Sequence, residues 1–330
     1  MKHRIAVIGS NSFSGADFID LLLENPANQV LGISRSAEKD AIFLPYKRHA
    51  AAAYDFRKLD LNDDMPEMLS VLDTFKPEYV VNFAAQSEVA PSWENPWQWF
   101  QTNAVAISHL GHHLKSAPYL KRYVHISSPE VYGTCVGSVL ESAPLNPSTP
   151  YAASKAAGDL FLFTLVKNYK FPMVMIRATN VYGPCQQLHK IIPRAAIYMM
   201  TGRTVELHGG GRAVKSYIHI RDVSRGELAA MEKGRGGEIY HLSPDKGVSV
   251  RELVEMMAAK MGVAFDKTVK IVAERLGQDA AYVIDSTKAR RDLGWKPMIS
   301  LEEGVGQVID WVKKNRETIA HQSLEYVHKP

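Results

Sequence analysis

The chain has 330 residues, 46% hydrophobic and 22% charged, and its 39 Lys+Arg against 35 Asp+Glu leave a net charge of +4. That length accommodates about two domains of ~100–200 residues with sizeable cores, and the composition argues against disorder and low-complexity architecture. A surplus so small, without a basic run, gives no nucleic-acid footprint, although a few well-placed cations suit a pocket for an anionic small molecule.

The first half alternates short apolar runs with helix-length amphipathic segments. Strands are predicted over 5–8, 30–34, 54–59, 79–85, 123–127 and 173–178. Helices are predicted over 16–24, 66–75, 97–115 and 150–169, the last entered through Pro-Ser-Thr-Pro. Strands that are continuously apolar suit a sheet buried on both faces, and alternation of strand and helix suits right-handed βαβ units. The fold class expected is therefore α/β, a doubly wound parallel (Rossmann) sheet. Beyond Gly183-Pro184 the rhythm breaks. Helical patches at 191–200, 249–261 and 301–314 mix with short strands, while 222–232 and 238–242 read as one more helix and strand that rejoin the first sheet. The expected division is a Rossmann domain over 1–178, with about 216–245 returning to it, and a smaller interleaved α/β substrate domain over 179–330.

Two cysteines, Cys135 and Cys185, form no C-x-x-C pair and no disulfide framework, so a reducing, cytoplasmic setting is expected. No apolar stretch approaches the ~20 residues of a membrane span. The four apolar residues before Gly9 are too few for a signal-peptide core.

Gly9-Ser10-Asn11-Ser12-Phe13-Ser14-Gly15 follows the first strand and opens a helix. Ser12 stands where a G-x-x-G-x-x-G fingerprint has its middle glycine. Gly9 permits a tight turn and Gly15 close helix–strand packing, so the amides around Ser12 and Phe13 can face a pyrophosphate. At the end of the second strand, an acid would bind a ribose 2′-hydroxyl and a cation a 2′-phosphate. Ser34-Arg35-Ser36 offers no acid before Glu38, which favours NADP over NAD. Asp60, next to Leu61 after the third strand, reads equally as a partner for the adenine amino group or as a turn or helix-cap carboxylate.

Tyr151-Ala152-Ala153-Ser154-Lys155 is a Y-x-x-x-K at a helix start, and the i,i+4 spacing puts both side chains on one face. A lysine ammonium beside the phenol is expected to lower its pKa, so that it can take a proton from a sugar hydroxyl. Ser127 and Ser128, at the end of the fifth strand, offer hydroxyls to the same oxygen. His109 and His113 share i,i+4 spacing but lack a carboxylate in their segment, so packing is preferred to metal binding. Trp93, Trp97 and Trp99 read as core or dimer contacts.

With these pieces in place, the sequence resembles the extended short-chain dehydrogenase/reductases that act on nucleotide sugars. The glycine turn, A-A-Q-S-E-V (84–89), S-S-P-E-V-Y-G (127–133), T-P-Y-A-A-S-K (149–155), R-A-T-N-V-Y-G-P (177–184), G-G-G-R-A-V-K-S-Y-I-H-I-R-D-V (209–223) and D-L-G-W-K-P (292–297) run in order through nearly the whole chain. S-S-P-E-V-Y-G is similar to the corresponding motifs of the dTDP-glucose and GDP-mannose 4,6-dehydratases. The resemblance implies oxidation at C4 assisted by Ser128, Tyr151 and Lys155, removal of the C5 proton by Glu130, loss of water from C6, and a 4-keto-6-deoxy product. It implies an NAD(P) site that includes Leu61, Ala84, Tyr151 and Lys155. Ser87, Asn180, Lys190, Lys215 and Arg275 are implied beside the sugar and diphosphate, and a homodimer through helices 97–115 and 150–169. Pro129 replaces the aspartic acid that precedes the glutamate in the dTDP-glucose enzymes. Glu130 would then do both jobs, or another group such as Glu88 would help, or a 5,6-ene product would form. The alternatives are a nucleotide-sugar epimerase in which Glu130 is idle, and a catalytically silent cofactor-binding protein.

Overall fold

The computed structural model describes residues 3–49, 53–134, 138–273 and 281–329. Its main sheet is built from β1 (Arg4–Ile8), β2 (Gln29–Ser34), β3 (Ala53–Lys58), β4 (Tyr79–Asn82), β5 (Arg122–Ile126) and β6 (Met173–Ala178), together with the strand Ile239–Leu242. All pairings are parallel, in the order Ile239–Leu242, β6, β5, β4, β1, β2, β3. The intervening helices are α1 (Phe13–Leu23), α2 (Met65–Phe75), α3 (Pro96–Phe100), α4 (Ala106–Leu114) and α5 (Pro150–Tyr169).

The apolar runs are explained by burial on both faces. Successive side chains point to opposite sides of a strand. Ile5, Val7, Val81 and Val174 pack on one side, against α1 and the helix Ile220–Lys233. Ala6, Ile8, Val80 and Met173 pack on the other, against α2, α4 and α5. A separate apolar cluster joins the helices Ile191–Met200, Val250–Met261 and Leu301–Lys314 beside the sheet. Strand order reverses between β1 and β4, which opens a crevice at their carboxyl ends, the usual ligand position in such sheets.

Three local expectations need correction. The run over 54–59 does not make a strand buried on both faces, because β3 lies at the sheet edge and its residues alternate between half-buried and exposed. The strand predicted over 79–85 ends at Asn82, and the chain beyond it forms the crevice wall. The helix predicted over 97–115 is broken by a π-helical turn, Gln101–Val105. Its buried Asn103 bonds to both backbone groups of Gln86 and donates to Ser154 Oγ at 2.9 Å. The helix α5 comes so close that a Cβ at Gly158 would lie 2.2 Å from Asn103 O.

Candidate active site

Beyond β5 the chain passes through Ser127 and Ser128 into one 3₁₀ turn, Pro129–Tyr132. Proline at the first position, and Ser128 Oγ accepting from Glu130 N at 3.2 Å, fix this turn. Gly133 ends it at φ +70°, where a Cβ would lie 2.1 Å from Asn146 O. The head of α5 is fixed in the same way: Pro150 leads it and Thr149 Oγ1 accepts from Ala152 N at 3.1 Å. Tyr151 and Lys155 follow on one face, and both are buried together with Ser128.

These elements bring Ser128, Glu130 and Tyr151 together. Burial raises the Tyr151 hydroxyl pKa and the Glu130 carboxylate raises it further, while the hydrogen-bonded Ser128 hydroxyl opposes them. This corrects the expectation of a phenol lowered by its lysine. The Lys155 ammonium instead donates to Ile126 O at 2.8 Å, and burial lowers its own pKa to about 8, with Asp159 opposing. One turn further along α5, Asp159 Oδ2 accepts from Ser127 Oγ at 2.6 Å and from Arg177 Nη2 at 2.7 Å. Burial alone would raise this carboxyl, but His125 and Arg177 hold it below its ordinary value. A buried charge pair thus underlies the face of α5 that carries Tyr151 and Lys155.

Two large cavities meet in the crevice. The first, about 440 Å³, is lined by Gly9, Ser12, Ser34, Arg35, Asp60, Leu61, Ala84 and Ser87. The second, about 590 Å³, is lined by Asn180, Lys190 and Lys215. Glu88, His189, Glu325 and Tyr326 line both. Ser87 therefore stands on the wall of the first cavity, although the resemblance put it beside the substrate. Phe13 lies in a smaller adjoining cavity with Cys185. Arg275 and Cys135 lie outside the described residues.

Several residues are already engaged. Ser12 Oγ accepts from Gly15 N at 2.9 Å, capping α1 where a middle glycine would have left the amide open. Asp60 Oδ1 accepts from Asn62 N at 2.7 Å, the turn role, while its residue also lines the cavity. Glu38 is held by Tyr46 at 2.8 Å and Lys47 at 2.7 Å. Lys190 Nζ lies 2.5 Å from Glu88 Oε1, with His189 Nε2 at 3.4 Å. Burial alone would raise Glu88, but His189 and Lys190 outweigh it and bring the carboxyl down to about 2. A carboxyl held this low by two cations is poorly suited to donate a proton, which weighs against Glu88 as the helping acid. The residues present fit a dinucleotide. A cavity of this size lies within the usual range for ligand sites, and at Gly9 and Gly15 the backbone approaches so closely that added Cβ atoms would meet main-chain atoms at 2.6 and 2.4 Å.

Sequence reasoning missed the segment 325–329, which lines the crevice without any periodic or motif signal, and the π-helical turn that orients Gln86. Asp159 had a signal, four residues beyond Lys155 in Y-x-x-x-K-x-x-x-D.

A glycine-opened first βα turn, and a Tyr-x-x-x-Lys helix whose head meets the turn after β5, place the protein among the short-chain dehydrogenase/reductases of the extended kind. The family model for GDP-mannose 4,6 dehydratase matches residues 7–308, and the chain belongs to that family. A dTDP-glucose 4,6-dehydratase of Streptomyces niveus is 31% identical over 318 residues, covering 95% of this chain and 94% of that protein. The solved dTDP-glucose 4,6-dehydratase of Streptomyces venezuelae, with NAD and TYD bound, is similar at TM-score 0.86 and 31% identity, covering 96% of this chain and 98% of that one. A UDP-glucose 4-epimerase of Thermotoga maritima, with UDP-glucose, reaches TM-score 0.86 at 27% identity over 95% and 99% of the two chains.

Proposed function

We propose that this protein is a nucleotide-sugar 4,6-dehydratase, a hydro-lyase, whose chemistry is carried by Ser128, Glu130, Tyr151 and Lys155. The feature that supports this reading is the 3₁₀ turn after β5, which carries Ser128 and Glu130 to the buried head of α5 where Tyr151 stands. Fold likeness alone does not separate dehydratase from epimerase, since both kinds of neighbour superimpose equally well. A base for the C5 proton is what elimination needs and epimerisation at C4 does not, and Glu130 is the carboxylate this reading assigns to it.

The first cavity would hold NAD(P), which when bound would supply a reversible hydride acceptor for the sugar. Gly9, Ser12, Arg35, Asp60, Leu61 and Ala84 would hold it, with Gly15 keeping α1 close to β1. Tyr151 and Ser128 meet the 4-hydroxyl and carry its proton, and Lys155 supplies the positive charge of that corner. With C4 as a ketone, Glu130 removes the neighbouring C5 proton and passes it to the departing 6-hydroxyl, so the C5–H and C6–O bonds break and water leaves. Pro129 cannot donate a proton and Glu88 is poorly suited to, which leaves Glu130 with both steps. Asn180, Lys190 and Lys215 line the substrate cavity, where the two lysine cations suit a diphosphate.

NADP is the preferred form in this reading, because Arg35 stands at the end of β2 and the nearest acid, Glu38, is committed to Tyr46 and Lys47. Titration with both cofactors tests this. A homodimer is supported by apolar side chains exposed on adjacent helices, including Trp97, Phe100, Val105 and Leu160. Among candidate substrates, dTDP-glucose comes first, following the relatives. The decisive experiment is turnover in D₂O. The wild type should give a 4-keto product with deuterium at C5, whereas Glu130→Gln should still bind cofactor and show neither. Persistent C5 exchange in that variant would reassign the base.

A further inference from the structure

Residues 322–329 run across the crevice without regular secondary structure. Gln322, Leu324, Tyr326 and His328 are half-buried, while Ser323, Glu325, Val327 and Lys329 are exposed. No helix or sheet ladder holds the segment beyond Gln322. It is tied down instead by side-chain contacts to both walls. Lys329 O accepts from Gln86 Nε2 at 2.7 Å and from Arg35 Nη2 at 3.2 Å. The His328 ring stacks on the buried Trp99, with centroids 5.0 Å apart and planes 12° apart, and its Nε2 lies 2.5 Å from Gln98 Oε1. Tyr326 meets His189 edge-on at 5.4 Å and places its hydroxyl 3.2 Å from His328 Nδ1.

These anchors are not a random part of the surface. Arg35 follows β2, Gln86 follows β4, Trp99 lies on α3 and His189 belongs to the opposite wall. The segment therefore spans the crevice, lining the first cavity with Lys329 and both cavities with Tyr326. It also places Lys329 with Lys39 on the wall of the first cavity, where two cations suit the phosphates of a dinucleotide.

We propose that segment 325–329 is a further part of the cofactor site, a strap that holds the dinucleotide in the crevice between turnovers and opens to admit it. The proposal rests on the reading of the first cavity as the NAD(P) site. Its chemical sense follows from the reaction, which returns the cofactor to its starting state, so turnover needs no release. A segment tied by a few side-chain contacts can open locally while the sheet stays intact.

The test compares the full chain with one ending at Leu324, which keeps the packing of Leu324 against the neighbouring apolar cluster. NAD⁺ and NADP⁺ binding and release are followed by stopped-flow tryptophan fluorescence and calorimetry, with urea midpoints confirming that both chains fold. Removal of the strap should speed cofactor release at least tenfold and weaken affinity in proportion. The full-length His328→Ala variant, which loses the Trp99 stack and the Gln98 contact, should move the same way by a smaller factor. Equal release rates in all three would overturn the strap while leaving the cofactor site standing. Tighter binding by the shortened chain would also overturn it, marking the segment as a competitor for the cavity. Absence of binding to either cofactor by every chain would overturn both readings.

Discussion

Alanine at Gly9 separates two reasons for a glycine at the first turn, backbone conformation and close approach. Gly9 and Gly262 both lie in the left-handed region, at φ +85° and +68°. An added Cβ therefore incurs a similar conformational cost of about 1–2 kcal/mol at each. Their surroundings differ. At Gly262 nothing lies within 4 Å of the added atom, whereas at Gly9 it would meet Ala84 N at 2.6 Å and Phe83 C at 2.8 Å. Those are main-chain atoms of the loop after β4 and cannot rotate aside, so the loop must shift, at about 1–3 kcal/mol more. Gly9→Ala should thus lose about 2–5 kcal/mol and Gly262→Ala about 1–2 kcal/mol, read from urea midpoints at unchanged m-value. Since Ala84 also lines the first cavity, Gly9→Ala alone should weaken NAD(P) binding. Equal losses in the two variants would refute the close-approach argument.

Two further outcomes are expected. His241 is fully buried, bonded to Tyr132 at 2.7 Å, and burial followed by the Arg177 charge lowers its pKa to about 3. The unfolded chain therefore takes up this proton first, and wild type loses stability as pH falls from about 6.5 towards 3. His241→Phe lacks that loss, so its deficit relative to wild type should narrow by up to about 2 kcal/mol between pH 6.5 and 5, and a constant gap in urea midpoints would show that His241 is not held neutral. Leu160, 57% exposed on α5, becomes Asp in a variant that should run as a monomer by light scattering if that face joins two copies, and a dimer of unchanged affinity would place the interface elsewhere.

The sequence by itself determined the layered sheet, because a strand buried on both faces must be apolar at successive positions, as in β1, β4 and β6. It determined the head of α5 as well, since Thr149 and Pro150 are local helix-start signals that act before any tertiary contact. Through Pro150 and the i,i+4 rule it placed Tyr151 and Lys155 on one face. Only the tertiary structure decided what those groups became. Lys155 turned to Ile126 O rather than to the phenol, because the end of β5 brought a carbonyl within reach. Glu88 is held well below the usual carboxylate range, because the chain returned His189 and Lys190 to it from 101 and 102 positions away. The edge position of β3, the π-helical turn at Asn103 and the segment across the crevice were likewise settled by packing against distant residues. Periodicity and motif spacing report a residue's near neighbours in the chain, whereas burial, charge pairing and cavity walls depend on which distant segments the fold brings beside it.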